Sequence, residues 1–205
     1  MTTADMAVTN NHPRLRRVCV HCAALAAVAT CHASTAHAQS AQPVSLQFAA
    51  LFTSFNNGGR NVGGVGVEPQ LRFNRLYSTE GFGALSLGIG GQFTSHSRGG
   101  DRLRIAGVFV EPRWVPALAS SAVFPYLSGR LSILRQTNNF AVQPSVGRGY
   151  GRGAGVAVKL SRSVNLDAGL QLVRQDLDAF DAFTTYNGKA GLSIGLARRK
   201  RGTLR

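Results

Sequence analysis

A chain of 205 residues is long enough for one domain with short appendages. Its 44% hydrophobic and 16% charged residues exclude a disordered chain, and its 24 glycines count against long helices. The formal charge of +14 is concentrated in Arg14, Arg16 and Arg17 near the start and in Arg198, Arg199, Lys200, Arg201 and Arg205 at the end; no basic helix or nucleic-acid motif lies between, which excludes a nucleic-acid partner.

Residues 1–38 read as a secretory signal peptide. Arg14-Leu15-Arg16-Arg17 supplies the positive start, residues 18–29 a short apolar core, and Ala36-His37-Ala38 the small residues before a cleavage point. Cleavage leaves Gln39 as the first residue of a single domain over 39–197, followed by a basic tail at 198–205. Cys19, Cys22 and Cys31 all fall in the removed segment, so the mature chain has neither a disulfide nor a cysteine metal site. A lipidated start at Cys31 is the alternative to cleavage after Ala38.

From Val44 onward the period is two, the mark of strands with one apolar face. Val44, Leu46, Phe48, Ala50 and Phe52 oppose Ser45, Gln47 and Thr53, and Val65, Val67, Pro69, Leu71 and Phe73 oppose Glu68, Gln70 and Arg72. Leu85, Leu87, Ile89 and Phe93 oppose Ser86 and Gln92, then Val108, Val110 and Trp114 oppose Phe109, Glu111 and Arg113. The pattern continues with Leu127, Leu131 and Ile133 against Ser128, Arg130 and Ser132, and with Ala154, Val156, Val158 and Leu160 against Gly153, Gly155 and Lys159. It ends with Val164, Leu166, Ala168, Leu170 and Leu172 against Asp167 and Gln171, and with Tyr186, Ala190, Leu192, Ile194 and Leu196 against Asn187, Lys189 and Ser193. These are eight segments of roughly 9 to 13 residues, the length that crosses a bilayer at a tilt.

The connections are expected to alternate, with a tight turn at Ser161-Arg162-Ser163 and long polar loops over 136–149 and 175–185. Two aromatic belts are expected, one with Phe73, Tyr77, Phe82, Trp114, Phe124 and Tyr126, the other with Phe55, Phe93, Phe183 and Tyr186. An internal echo relates residues 65–73 to residues 108–116: Val-x-Val-Glu-Pro occurs in both, on strands of the same direction.

Period two alone also fits a periplasmic lipocalin-like ligand-binding barrel with its apolar face inward. Here the polar face is rich in Gly, Ala and Ser and lacks the dense Lys/Glu surface of a soluble domain. A closed barrel also removes every sheet edge, as hydrocarbon requires. The reading is therefore an all-β, eight-stranded, antiparallel up-and-down transmembrane β-barrel. Residues 65–73, 125–131, 151–156 and 164–170 make residues 43–196 resemble the small outer-membrane β-barrel family of OmpA-like and OmpX-like barrels. That resemblance implies a place in the cell outer membrane, contact with outer-membrane lipid and lipopolysaccharide, and handling by the barrel-assembly machinery. Lys189, Gly191, Ile194 and Leu196 resemble the terminal assembly signal of such barrels, departing from it in ending on Leu196 without an aromatic.

The polar face of the strands carries Glu68, Arg72, Glu111, Arg113, Arg130, Lys159, Asp167 and Lys189. Eight strands enclose only enough room for side chains, so these charges are expected to pair as a polar network filling the lumen; a gated ion path is the functional alternative. His96, the one histidine of the mature chain, lies in Thr94-Ser95-His96-Ser97 and is read as a loop residue in contact with solvent. Some small outer-membrane barrels are lipid A-modifying hydrolases with a His and a Ser near a strand end, but their spacing of one residue between the two is not matched. Asp176, Asp178 and Asp181 lack the Gly and distal Glu of a calcium loop. Gly147, Gly149, Gly151, Gly153 and Gly155 leave one strand face bare without the Lys-Ser/Thr of a phosphate loop. No cofactor, metal or catalytic residue is implied; the expected role is structural or surface-interacting, with the external ligand unspecified.

Overall fold

The computed structural model describes residues 42–57, 60–98, 100–117, 122–138, 144–178 and 180–196. The signal segment, its cleavage point, the three cysteines and the basic tail lie outside the described residues. Within them the chain forms β1 (Val44–Asn57), β2 (Arg60–Thr79), β3 (Gly83–Arg98), β4 (Asp101–Val115), β5 (Val123–Asn138), β6 (Ser145–Lys159), β7 (Val164–Leu177) and β8 (Phe180–Leu196). Each strand pairs antiparallel with the next, and β1 pairs with β8 to close the barrel.

The row of register partners Leu46, Leu71, Ile89, Val110, Leu131, Tyr150, Arg174 and Thr184 runs once around the wall. Thr185 faces Phe55, so the row returns to β1 beside Asn56, ten residues beyond Leu46. Such a stagger tilts the strands against the barrel axis, and it decides which residues of distant strands share a level.

The faces are sorted inside out. Leu170 is 72% exposed, Leu131 64% and Phe52 63%, whereas Glu111 is fully buried and Glu68, Gln47 and Ser86 are each 1% exposed. Two apolar clusters cap the lumen. Val115, Phe124 and Tyr126 pack at the end where Val44 and Leu196 lie, and Ile105, Leu134 and Leu177 at the other, with Leu103 and Phe183 against them. Polar side chains fill the layer between.

Two expectations are corrected here. The strands run for 14 to 20 residues, and the supposed long loops are mostly ladder: β5 reaches Asn138, β6 starts at Ser145, β7 reaches Leu177 and β8 starts at Phe180. Pairing does not need apolar side chains, so the ladder continues past the point where the apolar face ends; Gln136 still faces Ser145 and Arg148 faces Asp176. The longest connection is instead 116–122, at the opposite end. The aromatic belts are also thinner than expected, because Phe55, Phe124 and Tyr126 point inward and are buried, and Phe183 stacks on Phe55 with ring centroids 5.0 Å apart. Outside, Tyr77, Phe82 and Trp114 do cluster, and the Trp114 indole donates to the Phe82 carbonyl at 2.9 Å.

Candidate functional site

The polar layer is organised around Glu111 of β4. Its Oε1 accepts from Arg72 Nη2 of β2 at 2.6 Å and from Arg113 Nη2 at 3.3 Å. Its Oε2 accepts from Lys189 Nζ of β8 at 2.9 Å and from Gln171 Nε2 of β7 at 2.6 Å, with Arg130 Nη1 of β5 3.8 Å away. Four strands besides β4, namely β2, β5, β7 and β8, therefore bring a side chain to this one carboxylate.

Glu68 of β2 takes the other side of the same cations, meeting Arg130 Nη1 at 2.6 Å and Lys189 Nζ at 3.5 Å. Asp167 of β7 accepts from Arg113 Nη1 at 2.6 Å and from the Tyr126 hydroxyl at 2.9 Å. Neutral groups complete the layer. Arg130 donates to Gln92 at 2.5 Å and to Gln171 at 3.1 Å, and Arg72 donates to Ser86 at 3.2 Å and Gln47 at 3.4 Å. The Arg113 and Arg130 guanidinium groups each lie 3.7 Å from a ring centroid, over Tyr126 and Phe109 respectively. Stacking buries the flat faces that carry no hydrogen bonds, which is how a guanidinium tolerates so buried a site.

The internal echo has a structural meaning. Glu68 and Glu111 both point inward while Pro69 and Pro112 point outward. At both places the ladder to the following strand skips the Glu-Pro pair: β2 to β3 goes from Val67↔Phe93 to Gln70↔Gly90, and β4 to β5 from Val110↔Leu131 to Arg113↔Ser128. Proline has no N–H to give to a ladder, so each lumenal glutamate stands beside a local break in the wall.

Seven of the eight charged residues singled out in the sequence meet in this layer. Lys159 does not. It has the inward parity but ends β6 at the barrel rim, where it is exposed; parity fixes a face, and only the stagger fixes a level. Gln47, Ser86, Gln92, Phe109, Tyr126 and Gln171 were missed as members, although their parity with the inward charges was there to read. The bare glycine face also resolves: Gly155 and Gly169 lie under the Tyr126 hydroxyl, and a Cβ at either would overlap it.

His96 is corrected as well. It belongs to β3, points into the lumen and is 1% exposed. Its Nε2 lies 2.6 Å from Thr53 Oγ1, and its ring packs edge-on against Phe55 at 5.2 Å. Ser97 is on the opposite, outer face, as alternation along a strand demands. Asp176 lies in β7 and faces outward, the Asp181 side chain is outside the described residues, and among the described residues no group of three or more acidic, His or Cys side chains could hold a metal.

The chain matches no family model and no curated protein. Among solved structures, the crystal structure of Neisserial surface protein A is similar, with 15% identity, 75% of this chain and 97% of that chain covered, and a TM-score of 0.63. Ail, the attachment invasion locus protein of Yersinia pestis, is 13% identical over 74% of this chain and 96% of its own, with a TM-score of 0.46. The N-terminal β-barrel domain of Pseudomonas aeruginosa OprF is 12% identical over 75% and 98%, with a TM-score of 0.45. The likeness to Neisserial surface protein A is one of fold: a small closed β-barrel.

Proposed function

We propose that the chain is an exported outer-membrane barrel protein with a structural or surface-interaction role and no catalytic one. The observation that carries this is the inversion of polarity, with an apolar wall outside and a charged layer sealed inside. On β5 the outward residues from Val123 to Ile133 are Val123, Pro125, Leu127, Gly129, Leu131 and Ile133. At 3.3 Å per residue and a tilt of about 40°, that run rises about 25 Å along the axis, the height of a hydrocarbon band. In water such a wall would be an aggregation surface; in lipid it is the stable arrangement, because closure leaves no backbone group unpaired at an edge.

Export follows from the signal segment 1–38, and the partners of this reading are outer-membrane lipid with its lipopolysaccharide and the barrel-assembly machinery. Of the assembly-signal residues, Ile194 and Leu196 face outward on β8, each 46% exposed, while Lys189 is committed to the lumen. A lipocalin-like carrier needs an apolar interior, and this one is ionic. A hydrolase needs its histidine where substrate can reach it, and His96 is enclosed by Thr53 and Phe55.

The test is fractionation of expressing cells followed by gel electrophoresis with and without boiling. Recovery in the outer membrane with a boiling-dependent shift in mobility is expected. Recovery in the soluble periplasmic fraction would refute the proposal.

A further inference from the structure

The outer wall is not uniformly apolar. Arg104, Arg135, Arg148, Arg152 and Arg174 all point outward and are exposed. They lie on four consecutive strands, β4 to β7, and the register makes them a continuous stripe. Arg104 faces Thr137, two residues from Arg135; Arg148 faces Ile133, again two from Arg135; Arg148 faces Asp176 and Arg152 faces Leu172, each two from Arg174. Each step is a diagonal cross-strand neighbour, roughly 7–8 Å apart and within reach of long side chains.

Four of them, Arg104, Arg135, Arg148 and Arg174, stand just above the apolar band, on the side of the 139–144 connection. On the rest of the circumference the outward positions at that level are uncharged: Ser54 and Asn56 on β1, Asn61 on β2, Ser95 and Ser97 on β3, and Thr184 on β8. Among the described residues, Asp176 and Asp178 are the acids beside the stripe, and no ion pair within 4 Å ties these five arginines to a carboxylate.

Arg152 is the telling member. It lies within the apolar band, where a lipid-facing charge is costly, and it lines two grooves in the outer wall. One, of about 600 Å³, runs past Leu127, Ala154, Leu170 and Tyr186, where Gly188 leaves the wall bare. The other, of about 550 Å³, passes Leu131, Tyr150 and Leu172 up to Arg174. An apolar groove that rises from the band to a row of guanidinium groups has the polarity profile of a lipid that carries phosphate on its headgroup.

We propose that the β4–β7 face binds a phosphorylated glycolipid of the outer leaflet, of the lipid A type. Arg104, Arg135, Arg148 and Arg174 hold its phosphates through charge-assisted, two-pronged hydrogen bonds. An acyl chain lies in the groove below, and Arg152 reaches up from the band to the same phosphates. A soluble polyanion would explain the stripe but not Arg152 or the grooves. This inference rests on the outer-membrane reading.

Native mass spectrometry of the refolded full chain in neutral detergent, titrated with diphosphoryl lipid A or with phosphatidylcholine, tests it. Wild type should retain diphosphoryl lipid A in preference to phosphatidylcholine. The Arg148→Gln/Arg174→Gln double variant should bind it about tenfold more weakly, while Arg162→Gln, in the turn at the opposite rim, should bind like wild type. Arg152→Leu, which removes a charge from the apolar wall and so has no reason to misfold, should also lose preference for the phosphorylated lipid. Equal lipid A binding by wild type and both variants would overturn the proposal, as would equal binding of both lipids by wild type or binding of soluble heparin in their place. A boiling-dependent mobility shift, scored on every sample, separates the two failures: its absence in wild type would refute the membrane-barrel reading, and its presence without lipid A binding would refute this site alone.

Discussion

Replacing Glu111 by Gln separates a lumen held by charge compensation from one that is merely filled. The side chain is fully buried, and each of its oxygens serves a different set of donors: Oε1 serves Arg72 and Arg113, while Oε2 serves Lys189 and Gln171 with Arg130 close by. A glutamine keeps the volume but puts an NH₂ where one oxygen stood. In one flip it confronts Arg72 and Arg113, in the other Lys189 and the Gln171 amide, so two donors lose their acceptor either way. The buried balance of Arg72, Arg113, Arg130 and Lys189 against Glu68, Glu111 and Asp167 falls from four cations on three carboxylates to four on two. A charge pair at about 4 Å is worth roughly 4 kcal/mol at an effective dielectric constant near 20, and much of that offsets desolvation. The expected net loss is about 3–5 kcal/mol, as for other buried networks stripped of one partner. Lys189→Met in the same chain restores the excess of a single cation and should recover about 1–3 kcal/mol as coupling. Urea unfolding in phosphatidylcholine vesicles, followed by the fluorescence of the single tryptophan, Trp114, and by unboiled gel mobility, measures both. A Glu111→Gln barrel within about 1 kcal/mol of wild type, or a double variant no more stable than the single, would refute the compensation argument.

The same vesicles test depth. Leu127→Arg, near the middle of the apolar run of β5, should cost about 2–4 kcal/mol and Thr137→Arg, on the same face of β5 but above the apolar band, about 0–1 kcal/mol; equal costs would place the band wrongly. Gly155→Val should lower stability by about 1–3 kcal/mol, because its side chain collides with the Tyr126 ring and the Ala168 carbonyl, and a barrel of unchanged unfolding midpoint would mean that Tyr126 has another place to go. His96→Ala should leave fatty-acid release from lipopolysaccharide unchanged between variant and wild type, and release that vanishes with the histidine would install a hydrolase. N-terminal mass spectrometry of the exported protein should find Gln39 as the first residue, and a lipidated Cys31 would refute that cleavage site.

The number of strands and the side each residue takes were legible because alternation is a local property: Glu68, Glu111 and Lys189 each betray their face by their immediate neighbours. Where strands end was not legible beyond the band, since the ladder through Gln136 and Ser145 is held by backbone groups that hydropathy does not report. Tyr126 and His96 were misplaced for a different reason. Both share parity with inward polar residues, Ser128 and Arg130 for one, Ser86 and Gln92 for the other, and parity decides the face even close to a strand end. The pairing inside the lumen was out of reach altogether. Arg130 meets Glu68 across 62 residues of sequence and Lys189 meets Glu111 across 78, and only the ten-residue stagger of the closed wall brings those levels together.

That stagger points to what the charged layer contributes to folding. An apolar outer face excludes a slip of one residue between neighbouring strands, because it would turn every leucine inward. It does not exclude a slip of two. If β8 moved two residues along β1, Leu192 would take the place of Ile194 beside Leu46 and Ala190 that of Leu192 beside Phe48, and the lipid-facing surface would be as apolar as before. The lumen distinguishes the two states. A two-residue slip carries Lys189 about 6.6 Å along the strand, out of the position in which it meets both Glu111 and Glu68, and leaves those two buried carboxylates short of a partner. The cost of such unpaired buried charge exceeds anything the degenerate apolar face can return. Lipid thus selects which face of each strand points out, and the Glu111-centred network selects the register at which β8 closes on β1.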